Sequence, residues 1–239
     1  MSFRASDFEF RNRFWLIGVV FAVGFLCYSF DHVNVAEAFA RLVLGQPVGD
    51  SPALDNLVRL LFAFGAVLVI AAALIRSWAT AYLQSSVVHD SAIHSENLVA
   101  DGPYRRLRNP LYFGNVLLAI GMGLLASRTG WFVIVIGMTE YCLRLIRREE
   151  AELLQSQGES YARYVKAVPR LAPALLPRVP AGKRTPNWVD GLVSESFIWG
   201  FALGMAVFAA TLRQGLLWIM VAAGFALRFA HDAYRKRGR

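Results

Sequence analysis

Two stretches of this sequence combine residue types that bind charged small molecules. The first, Leu98–Tyr112 (LVADGPYRRLRNPLY), joins a Gly-Pro turn, three arginines and two tyrosines to an apolar segment that opens at Pro110. The second, Ile146–Arg170, begins at the end of a later apolar segment and carries the adjacent carboxylates Glu149 and Glu150. Arginines pair with carboxylates and phosphates, and carboxylates pair with ammonium groups. The two stretches therefore predict one site for a polar ligand at a membrane edge.

The first stretch also has the signals of a turn followed by a helix. Gly102 and Pro103 are typical turn residues. Pro110 suits the first turn of a helix, because its ring presets φ and its missing N–H would be unpaired there. Asn109 is the expected N-cap. Since a helix N-terminus attracts anions, this helix start is expected to contribute to the site.

The composition predicts a membrane protein. Of the 239 residues, 56% are hydrophobic and 18% are charged, which is too apolar for a soluble domain of this size. Apolar runs near the ~20 residues that cross ~30 Å of hydrocarbon predict six spanning helices. These runs are Phe14–Phe30, Leu57–Ile75, Pro110–Ala126, Trp131–Ile146, Phe197–Leu212 and Leu216–Ala230. The expected fold class is all-α, a polytopic membrane protein with a cytoplasmic cofactor site.

The basic residues predict the orientation of these helices. They cluster before the first run, between the second and third, between the fourth and fifth, and at the end of the chain. The other side has Arg41, Arg128 and Arg213. Because positively charged loops tend to stay in the cytoplasm, both termini and both ligand-binding stretches are expected there.

The charge pattern also narrows the partners. The net charge is +8, but the basic residues follow the topology rather than one recognition element, so nucleic acid is not an expected partner. Membrane lipids, including anionic headgroups, are the expected neighbours. His89, Asp90, His94 and Glu96 lie close in sequence without a cysteine or regular ligand spacing, so no metal site is expected. The sequence indicates no oligomeric state.

Taken together, the two stretches resemble a known family. GPYRxxRxPxY at Gly102–Tyr112, followed by EExxLxxxxGxxYxxYxxxVPR at Glu149–Arg170, is similar to the motif pair of the isoprenylcysteine carboxyl methyltransferases and phospholipid methyltransferases. The resemblance covers Val87–Pro173. It implies an integral membrane enzyme that transfers a methyl group from S-adenosylmethionine to a lipophilic or small acceptor. A non-catalytic lipid-binding membrane protein and an NADPH-dependent sterol-type reductase are the alternatives.

The resemblance further implies which residues contact the cofactor. Glu149, with Glu150 beside it, is expected to face the ammonium group, and Arg108 and Asn109 the carboxylate. Tyrosines at the site would stack on the adenine or face the sulfonium charge. The predicted cofactor-binding residues are His89, Glu96, Asn97, Leu98, Val99, Tyr104, Arg108, Asn109, Pro110, Leu111, Tyr112, Glu149 and Glu150.

Two departures from the family pattern bear on the acceptor. The commonest family motif has His where this chain has Asn109, so a general base is not expected there. The carboxyl methyltransferases place a substrate-contacting arginine four residues before the cofactor glutamate, where this chain has Leu145. Arg144 and Arg148 flank that position and are the predicted catalytic residues. A prenylcysteine carboxylate is therefore not the expected substrate, and an amine-headed lipid, a small thiol and a quinone-like hydroxyl stay open.

The chain is expected to divide into three parts. Residues 1–78 would hold the first two membrane helices, and residues 79–177 the methyltransferase core. Residues 178–239 would hold a linker and a C-terminal membrane hairpin, which lies outside the resemblance.

The core is expected to be built on a tight antiparallel hairpin. Only four residues separate the third and fourth apolar runs, which brings Pro110 and Glu149 to one membrane face. Glu140 and Arg144, four apart on a helix, are expected to pair within the membrane. A separate cytoplasmic amphipathic helix, interrupted at Gly158, is expected after the glutamates.

Overall fold

The computed structural model describes residues 4–45, 51–83, 100–182 and 184–237, and within these ranges the regular structure is helical. The helices are α1 (Asp7–Arg11), α2 (Arg13–Leu26), α3 (Val35–Leu44), α4 (Pro52–Tyr82), α5 (Pro110–Gly123), α6 (Arg128–Ala167), α7 (Trp188–Ser194), α8 (Ser196–Thr211) and α9 (Gln214–Arg237). Two short 3₁₀ turns, Cys27–Ser29 and Gly102–Arg105, follow α2 and precede α5. The predicted all-α class is confirmed for the described part of the chain.

α4 is the central helix of the bundle, and it is longer than the apolar run that predicted it. It begins with Ser51, whose hydroxyl accepts a hydrogen bond from the Leu54 N–H at 3.2 Å, and with Pro52 in the first turn. It ends at Tyr82, so the polar segment expected from residue 79 is still helical at its start. α5, α8 and α7 pack along α4 in a core of small and apolar side chains.

The predicted hairpin is formed by α5 and α6. Gly121 lies so close to α4 that a Cβ there would be 2.6 Å from the Gly65 carbonyl oxygen, which explains the small residues of this stretch. The Ser127 hydroxyl caps α6 by accepting from the Gly130 N–H at 3.1 Å. Because the turn is short, the first turn of α5 lies beside the part of α6 that carries Glu149.

α6 confirms the predicted interruption at Gly158, where two helical segments meet at a kink, but it shows no separation between the apolar run and the glutamates. It continues from the apolar run through the glutamates to Ala167, with one break at Gly158, where φ is 53° and ψ is −126°. Glycine adopts this left-handed φ without a steric penalty. The 40 residues of α6 exceed the length that crosses the hydrocarbon, so its polar half extends beyond the apolar layer.

The helix lengths support fewer spans than the six predicted. Among the described residues, α4, α6 and α9 are long and apolar enough to cross a membrane. α7 and α8, bent by 64° at their junction, add a fourth if they form one span. α5 is apolar but has 14 residues, which reach about 21 Å, and the helix at Arg13–Ser29 is also short. An integral membrane protein is supported by these apolar helices.

Candidate active site

The predicted ligand residues meet where the first turn of α5 lies against the middle of α6. The Tyr112 hydroxyl donates to the Glu149 carboxylate at 2.6 Å, although the two residues are 37 positions apart. Tyr112 is buried and Glu149 is half-buried. The structure therefore joins the two motif stretches through a direct side-chain contact.

Glu150 is held very differently from its neighbour. Its carboxylate lies 3.1 Å from Arg108 and 2.7 Å from Arg170, and it accepts a hydrogen bond from the Asn109 amide at 3.2 Å. Two arginines thus offset its charge, and its side chain is buried. Glu149 is consequently the carboxylate better suited to bind an added cation.

Asn109 stands at the N-cap position but does not cap α5 with its side chain. Its amide donates instead to Glu150 and to the Arg170 carbonyl oxygen, both at 3.2 Å. The expected N-cap bond was wrong because the buried carboxylate of Glu150 competes for the same side chain. Asn109 therefore ties the start of α5 to the segment that follows α6.

The segment that follows α6 packs against the first stretch, and its first residues, Pro169 and Arg170, end the second motif. The Arg108 N–H donates to the Pro169 carbonyl oxygen at 2.9 Å, and the Ala174 N–H donates to the Arg106 carbonyl oxygen at 2.9 Å. The Arg105 side chain donates to the Val179 carbonyl oxygen at 2.9 Å. The proline-rich segment after α6 is thus held by hydrogen bonds to Arg105, Arg106 and Arg108 of the first stretch.

Tyr104 lies in the 3₁₀ turn Gly102–Arg105, which precedes α5. Its carbonyl oxygen accepts a hydrogen bond from the Tyr164 hydroxyl at 2.8 Å, which fixes the turn against α6. Gly102 is required here, because φ is 57° and a Cβ would lie 2.4 Å from the Tyr82 ring. The Tyr104 hydroxyl is buried and has no hydrogen-bond partner within the described residues. Burial raises the pKa of Tyr104 well above its ordinary value, so the hydroxyl stays protonated.

Arg108 adds two further polar atoms to this region. Its Nε and Nη1 are buried and make no hydrogen bond of good geometry in the described part of the chain, although Nη1 lies 3.1 Å from Glu150. Buried donors are usually paired in proteins. We name Tyr104, Arg108, Tyr112 and Glu149 the Glu149 group.

The predicted catalytic arginines are covered by the N-terminal segment. Arg144 binds Glu9 at 2.8 Å, and Arg148 binds Asp7 at 2.7 Å. The expected Glu140–Arg144 pair was wrong, because Glu9 of α1 lies opposite Arg144 and takes its place. The Ser6 N–H holds the pKa of Glu9 below its ordinary value, and Arg144 lowers it further.

Five predicted cofactor residues lie outside the described ranges: His89, Glu96, Asn97, Leu98 and Val99. Pro110 is fully buried, and Leu111 offers its carbonyl oxygen to Arg76 at 3.1 Å. Leu145, at the position of the missing substrate arginine, is fully buried in the core.

A second buried polar group, absent from the sequence analysis, lies on the other side of α5. Arg76 of α4 donates through Nε to Glu195 at 2.8 Å and through Nη1 to the Asn115 side-chain oxygen at 2.8 Å. The Thr80 hydroxyl donates to Glu195 at 3.0 Å. We name Arg76, Thr80, Asn115 and Glu195 the Arg76 group. Arg76 and Glu195 lie just outside the apolar runs Leu57–Ile75 and Phe197–Leu212, so hydropathy alone gives no signal for this group.

The chain was compared with known families, curated proteins and solved structures. Residues 60–159 match the model of the phospholipid methyltransferase family. The match confirms the resemblance found in the two motifs, and it supports an enzyme of the methyltransferase class in a membrane. No curated protein and no solved structure matches the chain.

The phospholipid methyltransferase segment ends next to the break in α6. It includes Arg76, Tyr104, Tyr112 and Glu149, but not Glu195. Three other parts also lie outside it: the acids Asp7 and Glu9, the segment after α6, and the hairpin of α8 and α9. The site therefore combines family residues with contacts that are particular to the flanking parts of this chain.

Proposed function

We propose that this protein is an integral membrane methyltransferase that uses S-adenosylmethionine and acts on a lipophilic or small acceptor. The observation that carries the proposal is the Glu149 group. It places the half-buried Glu149 carboxylate against the buried Tyr112 hydroxyl. The same segment holds the buried Tyr104 hydroxyl and the Arg108 Nε, neither of which makes a hydrogen bond in the described part of the chain. All four residues lie in the segment that matches a methyltransferase family.

The residues present fit the charges of this cofactor. Glu149 would bind the ammonium group of the cofactor. The Arg108 Nε, which makes no hydrogen bond in the described residues, would donate to its carboxylate. The rings of Tyr104 and Tyr112 offer faces for the adenine or for a cation. The cofactor would supply a methyl group activated by a sulfonium charge. The protein would contribute placement and the exclusion of water, because an acceptor that is already a carboxylate, a thiolate or an unprotonated amine needs little help from a base. A hydroxyl acceptor would also have to release its proton to solvent or to a base.

The acceptor side favours a substrate without a carboxylate. Leu145 is fully buried where the carboxyl methyltransferases place an arginine, while Arg144 and Arg148 already bind Glu9 and Asp7. Arg144 and Arg148 would therefore act as catalytic groups only after this N-terminal contact opens. We infer that an amine-headed lipid or a quinone-like hydroxyl, reaching the site from the bilayer, is favoured over a prenylcysteine.

The orientation is part of the same proposal. A soluble, charged cofactor requires the site to face the cytoplasm, as the basic loops indicate. We propose that the short apolar helices α2 and α5 also cross the membrane, which gives six spans with both termini cytoplasmic. Reporter fusions at Gly49 and at Arg239 are expected to give opposite locations, and one location for both would contradict this topology.

Calorimetric titration of the purified protein tests the function directly. S-adenosylmethionine is expected to bind and NADPH is not. Binding of NADPH alone would favour a reductase, and binding of neither would favour a non-catalytic lipid-binding protein. Transfer of labelled methyl to a membrane lipid extract, but not to a prenylcysteine analogue, is the expected result for the acceptor.

A further inference from the structure

Glu195 is a fully buried carboxylate at the junction of α7 and α8, outside the segment that matches the family. One of its oxygens accepts from Arg76 Nε at 2.8 Å and the other accepts from the Thr80 hydroxyl at 3.0 Å. A buried charge in an apolar bundle is costly, and replacing such a pair by apolar residues is often neutral for stability. Its presence therefore calls for a role beyond folding.

Arg76 connects Glu195 to the cofactor side of the molecule. Its Nη1 donates to the Leu111 carbonyl oxygen at 3.1 Å and to Asn115 at 2.8 Å, both on α5. α5 also rests directly on the arginine side chain, since a Cβ at Gly114 would lie 2.5 Å from Arg76 Cγ. The position of Arg76 thus sets the position of the first turn of α5.

That first turn carries the contact on which the candidate site depends. Leu111, which Arg76 binds, is adjacent to Tyr112, whose hydroxyl donates to Glu149. The Arg76 group also lies near the unpaired hydroxyl of Tyr104, because the charges of Arg76 and Glu195 act on the Tyr104 pKa in opposite directions, after the larger effect of burial. The two buried groups therefore lie on opposite sides of one short piece of backbone.

We propose that Glu195 is a positioning residue of the active site: it holds Arg76 against the first turn of α5 and so keeps Tyr112 in place to bind S-adenosylmethionine with Glu149. This inference rests on the proposed function. It makes the C-terminal hairpin, through Glu195, a working part of the methyltransferase site.

The test separates positioning from stability with three variants. Arg76→Leu/Glu195→Leu replaces the ion pair by apolar side chains, and Glu195→Gln removes the charge while keeping the shape. Met205→Ala is the matched control, because Met205 is fully buried on the same helix α8 and belongs to neither polar group. Each variant is purified in detergent, and its melting temperature and its dissociation constant for S-adenosylmethionine are measured.

A displaced first turn of α5 is expected to weaken binding about 10- to 100-fold in the double leucine variant and in Glu195→Gln. The control is expected to lower the melting temperature but to keep the wild-type dissociation constant. If the double variant does not fold, the inference is tested by comparing the dissociation constants of Glu195→Gln and Met205→Ala.

Equal affinity in Glu195→Gln and Met205→Ala would overturn the inference while leaving the proposed function intact. A wild-type protein that binds no S-adenosylmethionine would overturn both. If the double variant has the melting temperature of the wild type but binds S-adenosylmethionine weakly, Glu195 is a positioning residue. A purely structural role predicts instead that a variant of wild-type stability also has wild-type affinity.

Discussion

The two buried polar groups on either side of α5 differ in how completely their atoms are paired. In the Arg76 group, both oxygens of Glu195 accept hydrogen bonds, and Arg76 uses Nε and Nη1. In the Glu149 group, the Tyr104 hydroxyl and the Arg108 Nε are buried without a hydrogen bond in the described part of the chain, while the Arg108 Nη1 forms an ion pair with Glu150 at 3.1 Å.

This difference separates a structural restraint from a binding site. A fully paired buried group gains little from a ligand, because its polar atoms are already satisfied. A group with unused buried donors gains hydrogen bonds when a ligand with matching acceptors arrives. In the proposed function, the Arg76 group holds α5 and the Glu149 group binds the cofactor.

The largest expected effect is a loss of stability when the Arg76 group is changed. Arg76→Leu leaves the Glu195 carboxylate buried without its cation, so the free energy of unfolding is expected to fall by about 3–5 kcal/mol. Glu149→Leu leaves the buried Tyr112 hydroxyl without its described acceptor, so the expected loss is smaller, about 1–3 kcal/mol. Denaturant unfolding in detergent measures both. Equal losses would erase the distinction between the two groups.

The second largest effect is expected on ligand affinity and concerns the Glu149 group. Glu149→Gln keeps the shape of the side chain but removes the negative charge, so binding of S-adenosylmethionine is expected to weaken by about 1.5–3 kcal/mol, or roughly 10- to 150-fold. Calorimetric titration provides the measurement.

The matched control for this prediction is Glu152→Gln. Glu152 lies one turn further along α6 and pairs with Arg148 in a partly exposed ion pair. Its loss is expected to leave the affinity unchanged. Comparable weakening in both variants would indicate a general electrostatic effect rather than a contact made by Glu149.

Tyr104→Phe is expected to have opposite effects on stability and on binding. Because the hydroxyl is buried without a described partner, its removal is expected to leave stability unchanged or raise it by up to about 1 kcal/mol. Loss of the same hydroxyl is expected to weaken cofactor binding by about 0.5–1.5 kcal/mol. Thermal melting without cofactor, followed by titration, checks both signs.

Tyr164→Phe is the comparison for that experiment. Its hydroxyl already donates to the Tyr104 carbonyl oxygen at 2.8 Å, so its removal is expected to cost about 1 kcal/mol of stability. A destabilised Tyr104→Phe variant with unchanged affinity would mean that the Tyr104 hydroxyl has a structural partner.

The apolar runs predicted the positions of the helices well but not all of their ends. Hydropathy located α4, α5, α6, α8 and α9, because each carries a long apolar stretch. It did not show that α6 continues to Ala167, since the sequence after Ile146 is polar and forms helix equally well as a separate element. Nor did it distinguish an apolar helix that is too short to cross the membrane from one that crosses it.

The motif residues predicted that the stretches of Tyr112 and Glu149 meet in one site, but neither the direct hydrogen bond between these side chains nor the pairing of the other charges. Glu195 lies 119 residues from Arg76, and no local pattern links the two. The same holds for Arg170 with Glu150 and for Glu9 with Arg144. Buried ion pairs depend on which helices become neighbours, and that information is distributed over the whole chain.

A more exposed ion pair joins Asp31, in the segment after α2, to Arg128 at the start of α6. Asp31 accepts from the Thr129 N–H at 2.8 Å and from Arg128 at 2.9 Å. The Arg128 side chain is 56% exposed, so solvent screens the pair. Asp31→Asn is therefore expected to destabilise the protein less than Arg76→Leu.

The pH dependence of that small effect has a definite sign. The Thr129 N–H, with help from Arg128, lowers the pKa of Asp31 from its ordinary value of 3.8 to about 2. The folded protein therefore binds the Asp31 proton less readily than the unfolded chain, and the carboxylate stabilises the fold fully above pH 3.8. This contribution is lost as the pH falls from 3.8 towards 2. Melting temperatures of the wild type and Asp31→Asn are expected to differ at pH 6 and to converge near pH 2, whereas a constant difference across this range would show that the Asp31 charge contributes nothing to the fold.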